Sequence, residues 1–416
     1  MRNNPQIQPS APQNKIKAIV IGGGAAGFFG AITLAETNPL AKVILLEKGA
    51  HVLTKVRISG GGRCNVTHSC FDPKKLATHY PRGGKELLGP FHKFQPKNTI
   101  EWFERHGVPL KTEADGRMFP QTDASISIVN ALRDAAQALG VEVRTNCAPT
   151  TIVATPEGFK ISTSEGQLFI GDKILLACGS SPAGYEWAKQ MGHSIVPPVP
   201  SLFTFAVPDE RLKGLAGISL DNVEVGIAGT ALAQKGAILV THWGLSGPAI
   251  LKLSAWGARI LHEKGYAAEL KINWVGIPEE MVFEHLQQFK SANLKKQISS
   301  HAPLGLPLRL WERLASNSLG PKDMRWADAS NMQMRKLSKQ LSNDSYIMRG
   351  KSTFKDEFVT CGGVKLDEVN FKTMESRIQP GLFFAGEILD IDGVTGGFNF
   401  QNAWTTSYLA GQAMGR

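Results

Sequence analysis

Gly22, Gly24 and Gly27 stand at GxGxxG spacing in "GGGAAG", and Glu47 follows twenty residues after the last of them. The three glycines serve different ends. The first allows a tight turn, the second lets backbone approach a pyrophosphate, and the third lets a helix lie close on a strand. Ala25 and Ala26 keep the helix start small, so that its free amides face phosphate oxygens. Glu47, with Lys48 beside it, ends a second apolar run, where a carboxylate accepts hydrogen bonds from both ribose hydroxyls and disfavours a 2′-phosphate. The alternative is a glycine-rich turn with an incidental acid. With all three parts in register, a bound adenine dinucleotide is the expectation.

A second constellation lies near the C-terminus, in "PGLFFAGEILDIDGVTGGFNFQNAW". An apolar strand runs into Gly386 and Glu387, and Gly396 and Gly397 open a helix that begins with Phe398 and Asn399. An acid after such a strand suits a ribityl chain. A helix N-terminus facing the N1/O2 edge of a flavin would stabilise the negative charge of its reduced form. A plain NAD dehydrogenase needs no such element, so the dinucleotide is read as FAD. "KILLACGSS" adds a buried strand ending at small residues, among them Gly179. The loop "SGGGRCN" is too glycine-rich for ordinary packing, and Gly61, Arg63 and Asn65 are candidate cofactor contacts, Arg63 as a neutraliser of pyrophosphate or flavin charge. Cys64 has no partner at CxxC spacing, which favours a packed thiol over a redox role. Arg117 and Tyr80 are read as an ion pair and a partly buried ring rather than substrate contacts, and His242 and Trp243 as residues that could approach the flavin. No catalytic acid or base and no metal ligand set is assigned.

Positioning these residues requires a βαβ unit, which "KAIVIGGG", "AAGFFGAITLAET" and "AKVILLEKG" supply. Further along come a helix near "NTIEWFERHG", a hairpin in "KTEADGRMFPQT" and a helix in "ASISIVNALRDAAQALG". Pro197, Pro198 and Pro200 mark a linker. Residues 201–275 alternate apolar and polar as antiparallel strands do, and 278–342 reads as helical. The expected division is a disordered tail at 1–15, a first FAD-binding part at 16–195, a β-rich insertion at 196–277, a helical insertion at 278–342, a return to the β-insertion at 343–350 and a second FAD-binding part at 351–416.

A chain of 416 residues, 42% hydrophobic, is long enough for two or three packed units. No apolar run is long enough for a membrane span, and the polar start lacks a secretory h-region. The five scattered cysteines fit a reducing cytoplasm and no structural zinc. The net charge of +10 concentrates between Lys290 and Lys351, with twelve Lys/Arg against four Asp/Glu. Neither interleaved aromatics nor a binding module accompanies it, so a solvated helical face is preferred to nucleic acid, with an acidic partner as the alternative. Oligomeric state is not legible.

"KVRISGGGRCNVTH", "THWGLSGPAIL", "DMRWADASNMQMRKL" and residues 359–404 together resemble the bacterial YhiN-type flavoproteins, the BaiN/RdsA-like NAD(P)/FAD-dependent oxidoreductases. The likeness runs from about residue 16 to the end. It implies an α/β fold: a glutathione-reductase-like, Rossmann-type FAD domain with an inserted β-barrel-like and helical domain. It implies FAD and no particular substrate, since members are linked to bile-acid intermediates and a related enzyme to aminoacetone. The resulting expectation is an FAD-dependent oxidoreductase acting on a small organic substrate by hydride transfer through flavin N5. NAD(P)H is an open choice of donor, because no second GxGxxG is present. The alternatives are an oxidase of a small amine and a flavin-binding redox sensor with an acidic partner.

Overall fold

The computed structural model describes residues 16–321, 323–351 and 359–416. The tail expected at 1–15 lies outside the described residues. Strand β1 (Lys17–Ile21) is buried from Ala18 onward, because "AIVI" carries no polar side chain and lies between two neighbours. Helix α1 (Ala25–Thr37) follows after three glycines, and β2 (Lys42–Leu46) returns parallel to β1, with Ile19 opposite Ile44. On the other side of β1 lies Lys173–Leu176, then Leu382–Phe384, both parallel. Glu142–Arg144 pairs parallel with β2, and the short strands Glu375–Ser376 and Val369–Asn370 complete a seven-stranded sheet. Strands separated by more than two hundred residues thus end at one sheet edge, which is where a ligand binds in open α/β folds.

The C-terminal helix (Phe398–Gly415) lies along α1. A Cβ on Gly411 would come within 2.7 Å of the Gly30 carbonyl oxygen, so the two helix backbones touch there. The hairpin of Leu110–Thr112 and Arg117–Pro120 forms as expected, joined by Thr67–His68 into a small sheet. The helices at Pro96–Arg105 and Ser125–Ala138 also form where their patterns place them.

Two compact units divide the chain: residues 1–198 with 362–416, and 199–361. The divisions fall three residues later than expected at the first crossing and eleven later at the second. The proline run does carry the chain from one unit to the other, but as a strand rather than an irregular linker: Ile195–Ser201 pairs with Val359–Val364 in a two-stranded sheet. With one partner strand only, residues that lack an N–H are tolerated on the open edge, an option that the linker reading passed over.

The second unit has a six-stranded, wholly antiparallel sheet: Phe205–Ala206, Gly244–Ser246, Ala233–Val240, Ser219–Ile227, Ala267–Asn273, Asp344–Arg349. Its last strand bends back to its first, as the Ala206 N–H donates to the Gly350 carbonyl at 2.9 Å. The sheet is therefore nearly closed. Helices Glu279–Ala292, Leu308–Ser318 and Asn331–Ser342 share its hydrophobic core, with Trp274, Trp311 and Trp326 almost wholly buried. Two helices within the β-rich stretch, Pro248–Trp256 and Ala258–Glu263, were not anticipated.

Candidate cofactor site

Gly22 has φ +112°, and a Cβ there would lie 2.5 Å from the Ala177 carbonyl oxygen, so only glycine lets β1 turn beside its neighbour. A Cβ on Gly27 would fall 1.8 Å from the Gly22 carbonyl oxygen. Gly24 differs in kind: its backbone is extended, at φ −90°, and no atom lies within 4 Å of its Cβ position. Protein packing does not require glycine at 24. The emptiness over the first turn of α1, which carries no side-chain cap, is a cradle that a Cβ would fill.

Glu47 is tied to this turn. Its two oxygens accept from the Gly23 and Gly49 amides, both at 2.7 Å. Each oxygen keeps a second acceptor position, so a ribose diol remains within its capacity. A Cβ on Gly23 would lie 2.9 Å from the Glu47 Cβ, which explains the middle glycine that the GxGxxG reading left unassigned. Ala26 is buried, with its Cβ 3.0 Å from the Cβ position of Gly386, while Lys48 is exposed.

Beyond the strand Leu382–Phe384, the Gly386 N–H donates to Thr406 Oγ1 at 2.9 Å. Glu387 carries an ion pair with Lys55 at 2.6 Å and lies 3.4 Å from the Cβ position of Gly179, which has φ +59°. These residues from three distant stretches therefore come together. Lys55 gave no signal in the sequence beyond its charge.

The "SGGGRCN" loop ends a short helix (Thr54–Gly62) with Gly60, Gly61 and Gly62 all at positive φ. Gly60 is hemmed in by Asn65 and Phe119, whereas the Cβ positions of Gly61 and Gly62 are open. Arg63 is committed elsewhere than expected: it pairs with Glu113 at 2.7 Å and Asp123 at 3.5 Å and lies over the Phe119 ring. Both carboxylates are shared, Glu113 with Arg117 and Asp123 with Lys111, so Arg63 belongs to a surface ion-pair network. Cys64 is fully buried, and burial pushes its thiol up to about 12, which leaves almost no thiolate at neutral pH. Arg117 pairs with Glu113 and Asp115, and the buried Tyr80 hydroxyl donates to the Phe398 carbonyl at 2.6 Å.

At the start of the C-terminal helix, Gly397 (φ +91°) lies against Thr67, whose carbonyl oxygen is 2.5 Å from the Cβ position. Asn65, with its carboxamide oriented to satisfy both ends, accepts from the Gly397 N–H at 2.9 Å and donates to the Thr67 carbonyl at 3.0 Å. Phe398 stacks on His79 (4.2 Å) and on His68 (4.7 Å), which lie 5.9 Å from each other, two rings that the sequence did not single out. His68 also approaches the Cβ position of Gly396 to 3.5 Å. The Asn399 carboxamide both accepts from and donates to the Gly393 backbone at 2.8 Å, so it braces the preceding loop. On the next turn, Asn402 is 2% exposed and its Oδ1 has no partner among the described residues. His242 and Trp243 are exposed in the second unit, where Gly244 and Gly247 are required by close backbone approach.

The open helix start at Gly24, an acid at the end of β2 and an acid after a third strand form a donor and acceptor set suited to an adenine dinucleotide. Among the described residues no cluster could hold a metal, no helix is long and apolar enough to cross a membrane, and all five cysteines are free.

The chain is 29% identical over 415 residues to the 3-dehydro-bile acid delta(4,6)-reductase of Clostridium scindens, covering 95% of this chain and 98% of that one. It is 28% identical over 409 residues to the ribosomal RNA dihydrouridine synthase of Escherichia coli, covering 96% and 98%. Among solved structures it is similar to a 3-ketosteroid-delta4-(5alpha)-dehydrogenase of Rhodococcus jostii RHA1, with TM-score 0.50, 14% identity and 98% of each chain covered. A 3-ketosteroid delta1-dehydrogenase of Sterolibacterium denitrificans gives TM-score 0.51 at 12% identity, over 96% of this chain and 99% of that one. These two likenesses concern the fold. The profile described as the HI0933-like protein Rossmann domain matches residues 16–413, and the chain belongs to that family of FAD-dependent oxidoreductases.

Proposed function

We propose that the chain reduces a carbon–carbon double bond conjugated to a carbonyl group, with FAD held in the first unit and NAD(P)H as electron donor. The carrying observation is the glycine-cleared start of α1 at Gly24, in one unit with Glu47 and Glu387. The reaction class rests on the two full-length relatives, whose names share the saturation of a conjugated double bond. When bound, FAD supplies hydride transfer through N5.

The chain's own residues do the rest. Amides of Gly24, Ala25 and Ala26 hold the pyrophosphate at the positive end of α1. Glu47 holds the adenosine ribose, and its bonds to Gly23 and Gly49 keep it aimed. Glu387, oriented by Lys55 and given room by Gly179, holds the ribityl hydroxyls. Leading amides of the C-terminal helix, from Phe398 and Asn399, would favour negative charge on a flavin held at this helix start. Gly61, with open space at its Cβ position, would leave room for backbone to approach the flavin.

The test is an anaerobic titration of FAD-loaded protein with NADH and with NADPH, followed in the flavin absorption bands, then addition of a conjugated enone. Bleaching by a nucleotide and recovery with the enone is the expected result. Recovery with oxygen alone, after bleaching by an amine, would replace this reading with the amine oxidase. A flavin that neither nucleotide nor amine reduces would leave the redox sensor.

A second reading makes that double bond a uracil in RNA. One observation favours it: in the second unit Arg309 and Arg313, one helical turn apart, donate to the carbonyls of Gly214, Glu210 and Lys213, with no carboxylate partner among the described residues. Uncompensated guanidinium groups suit phosphates. Fluorescence anisotropy with a single-stranded RNA at rising salt tests it. Binding that Arg309→Ala with Arg313→Ala leaves untouched would remove the reading.

A further inference from the structure

Three ties lace residues 65–67 to the first two turns of the C-terminal helix. The Trp404 indole N–H donates to the Val66 carbonyl at 2.9 Å, and the Thr67 hydroxyl donates to Gln401 Oε1 at 2.6 Å. Both are buried side-chain bonds on the flank of the helix. The third is different, because Asn65 takes the Gly397 N–H, the amide that leads into the helix. The amides of Phe398 and those that follow then define the positive helix end. Asn65 also follows the three left-handed glycines of the 60–62 turn, two of which open onto free space.

We infer that Asn65 is a positioning residue that locks the glycine turn to the start of the C-terminal helix, and thereby sets the reduction potential of the flavin. Its acceptor oxygen and one of its donor hydrogens are engaged within the protein, so it acts through Gly397 and Thr67. Gly397 has no freedom to compensate: a side chain there would meet the Thr67 carbonyl oxygen at 2.5 Å and the Asn65 carboxamide at 2.9 Å. The inference rests on the reading that the flavin N1/O2 edge faces this helix start. Reduction adds negative charge at that edge, so the direction and rigidity of the leading amides favour the reduced form over the oxidised one.

Two substitutions separate this from a merely structural role. Asn65→Ala removes both of its bonds and loosens the helix start, while the Val66 and Thr67 ties to the helix flank remain. Asn65→Asp keeps an acceptor for Gly397 in the same shape but brings negative charge to the positive end of the helix. FAD affinity is measured by quenching of flavin fluorescence, and midpoint potential by equilibration with a dye of known potential.

The expected result for Asn65→Ala is FAD binding about tenfold weaker, the scale of one lost hydrogen bond. For Asn65→Asp it is a more negative midpoint potential, about 30 mV for each tenfold loss in preference for the reduced flavin. Wild-type affinity in the first and wild-type potential in the second would overturn the inference. Should Asn65→Ala fail to fold, the near-isosteric Asp variant decides alone through its potential. Wild-type protein that takes up no FAD would instead overturn the FAD reading, an outcome visible before any variant is made.

Discussion

Single residues in the opening turn separate two duties that the GxGxxG pattern merges. Gly22 and Gly27 are demanded by the fold, whereas no protein atom demands Gly24, which leaves room for the proposed pyrophosphate. Gly24→Val is therefore expected to fold with an unchanged apo melting temperature and to lose FAD affinity about 100-fold, the loss of one or two charge-assisted bonds to phosphate. Gly27→Ala should do the reverse first and lower the melting temperature, since its Cβ would overlap the Gly22 carbonyl. Calorimetry with flavin-binding titration checks both, and wild-type FAD affinity in Gly24→Val would sink the pyrophosphate assignment. Cys64 gives a third expectation at this scale: with its thiol pushed up to about 12 by burial, it should resist iodoacetamide at pH 8 until the protein unfolds. Most of these residues were legible, because glycine spacing is a local property of the chain. The partners of Arg63 were not legible because Glu113 and Asp123 lie fifty and sixty residues on.

Among elements, the contact between α1 and the C-terminal helix carries the most weight for the site, since it packs together the two helices whose starts belong to the proposed site. At its closest point Gly411 would place a Cβ 2.7 Å from the Gly30 carbonyl and 2.8 Å from Thr33 Cβ. Gly411→Ala should cost about 1–3 kcal/mol of stability, the range for overpacking a tight contact. Gly411→Leu should also release FAD, and a melting curve with the flavin content of purified protein would read both. A second element-level expectation concerns pH. His193 is buried, with Ser376 Oγ at 2.8 Å from one ring nitrogen and Glu368 at 3.2 Å from the other. Burial pushes its pKa below 6.5, and the Glu368 charge only partly opposes this. The unfolded chain therefore takes up the proton first as pH falls, so the contribution of His193 to stability is fully present above about pH 6.5 and declines below it. Urea unfolding at several pH values should show this slope, and a slope unchanged in His193→Asn would reject it.

On the scale of the whole molecule, the proposed cofactor residues all belong to the unit of residues 1–198 and 362–416, while residues 199–361 have a core of their own. A chain in which a short flexible linker replaces residues 202–358 should therefore still fold and bind FAD, because both paired crossing strands are kept. Loss of FAD binding in soluble, folded protein of that kind would show that the inserted unit contributes to the cofactor site. By itself the sequence determined the local grammar: β1, the phosphate turn, α1 and β2, the strand ends at Gly179 and Gly386, the glycine pair before the last helix, and the alternation that marks the inserted sheet. Periodicity and glycine placement act over a few residues, so they can be read from a linear string. Only the tertiary structure decided which side chains those segments share. Asn65 on Gly397, Lys55 on Glu387, Arg63 on Glu113 and two histidines around Phe398 are pairings across 50 to more than 300 positions. The proline strand was decided there too, because an edge accepts residues without an N–H and a string of letters does not say which strands are edges.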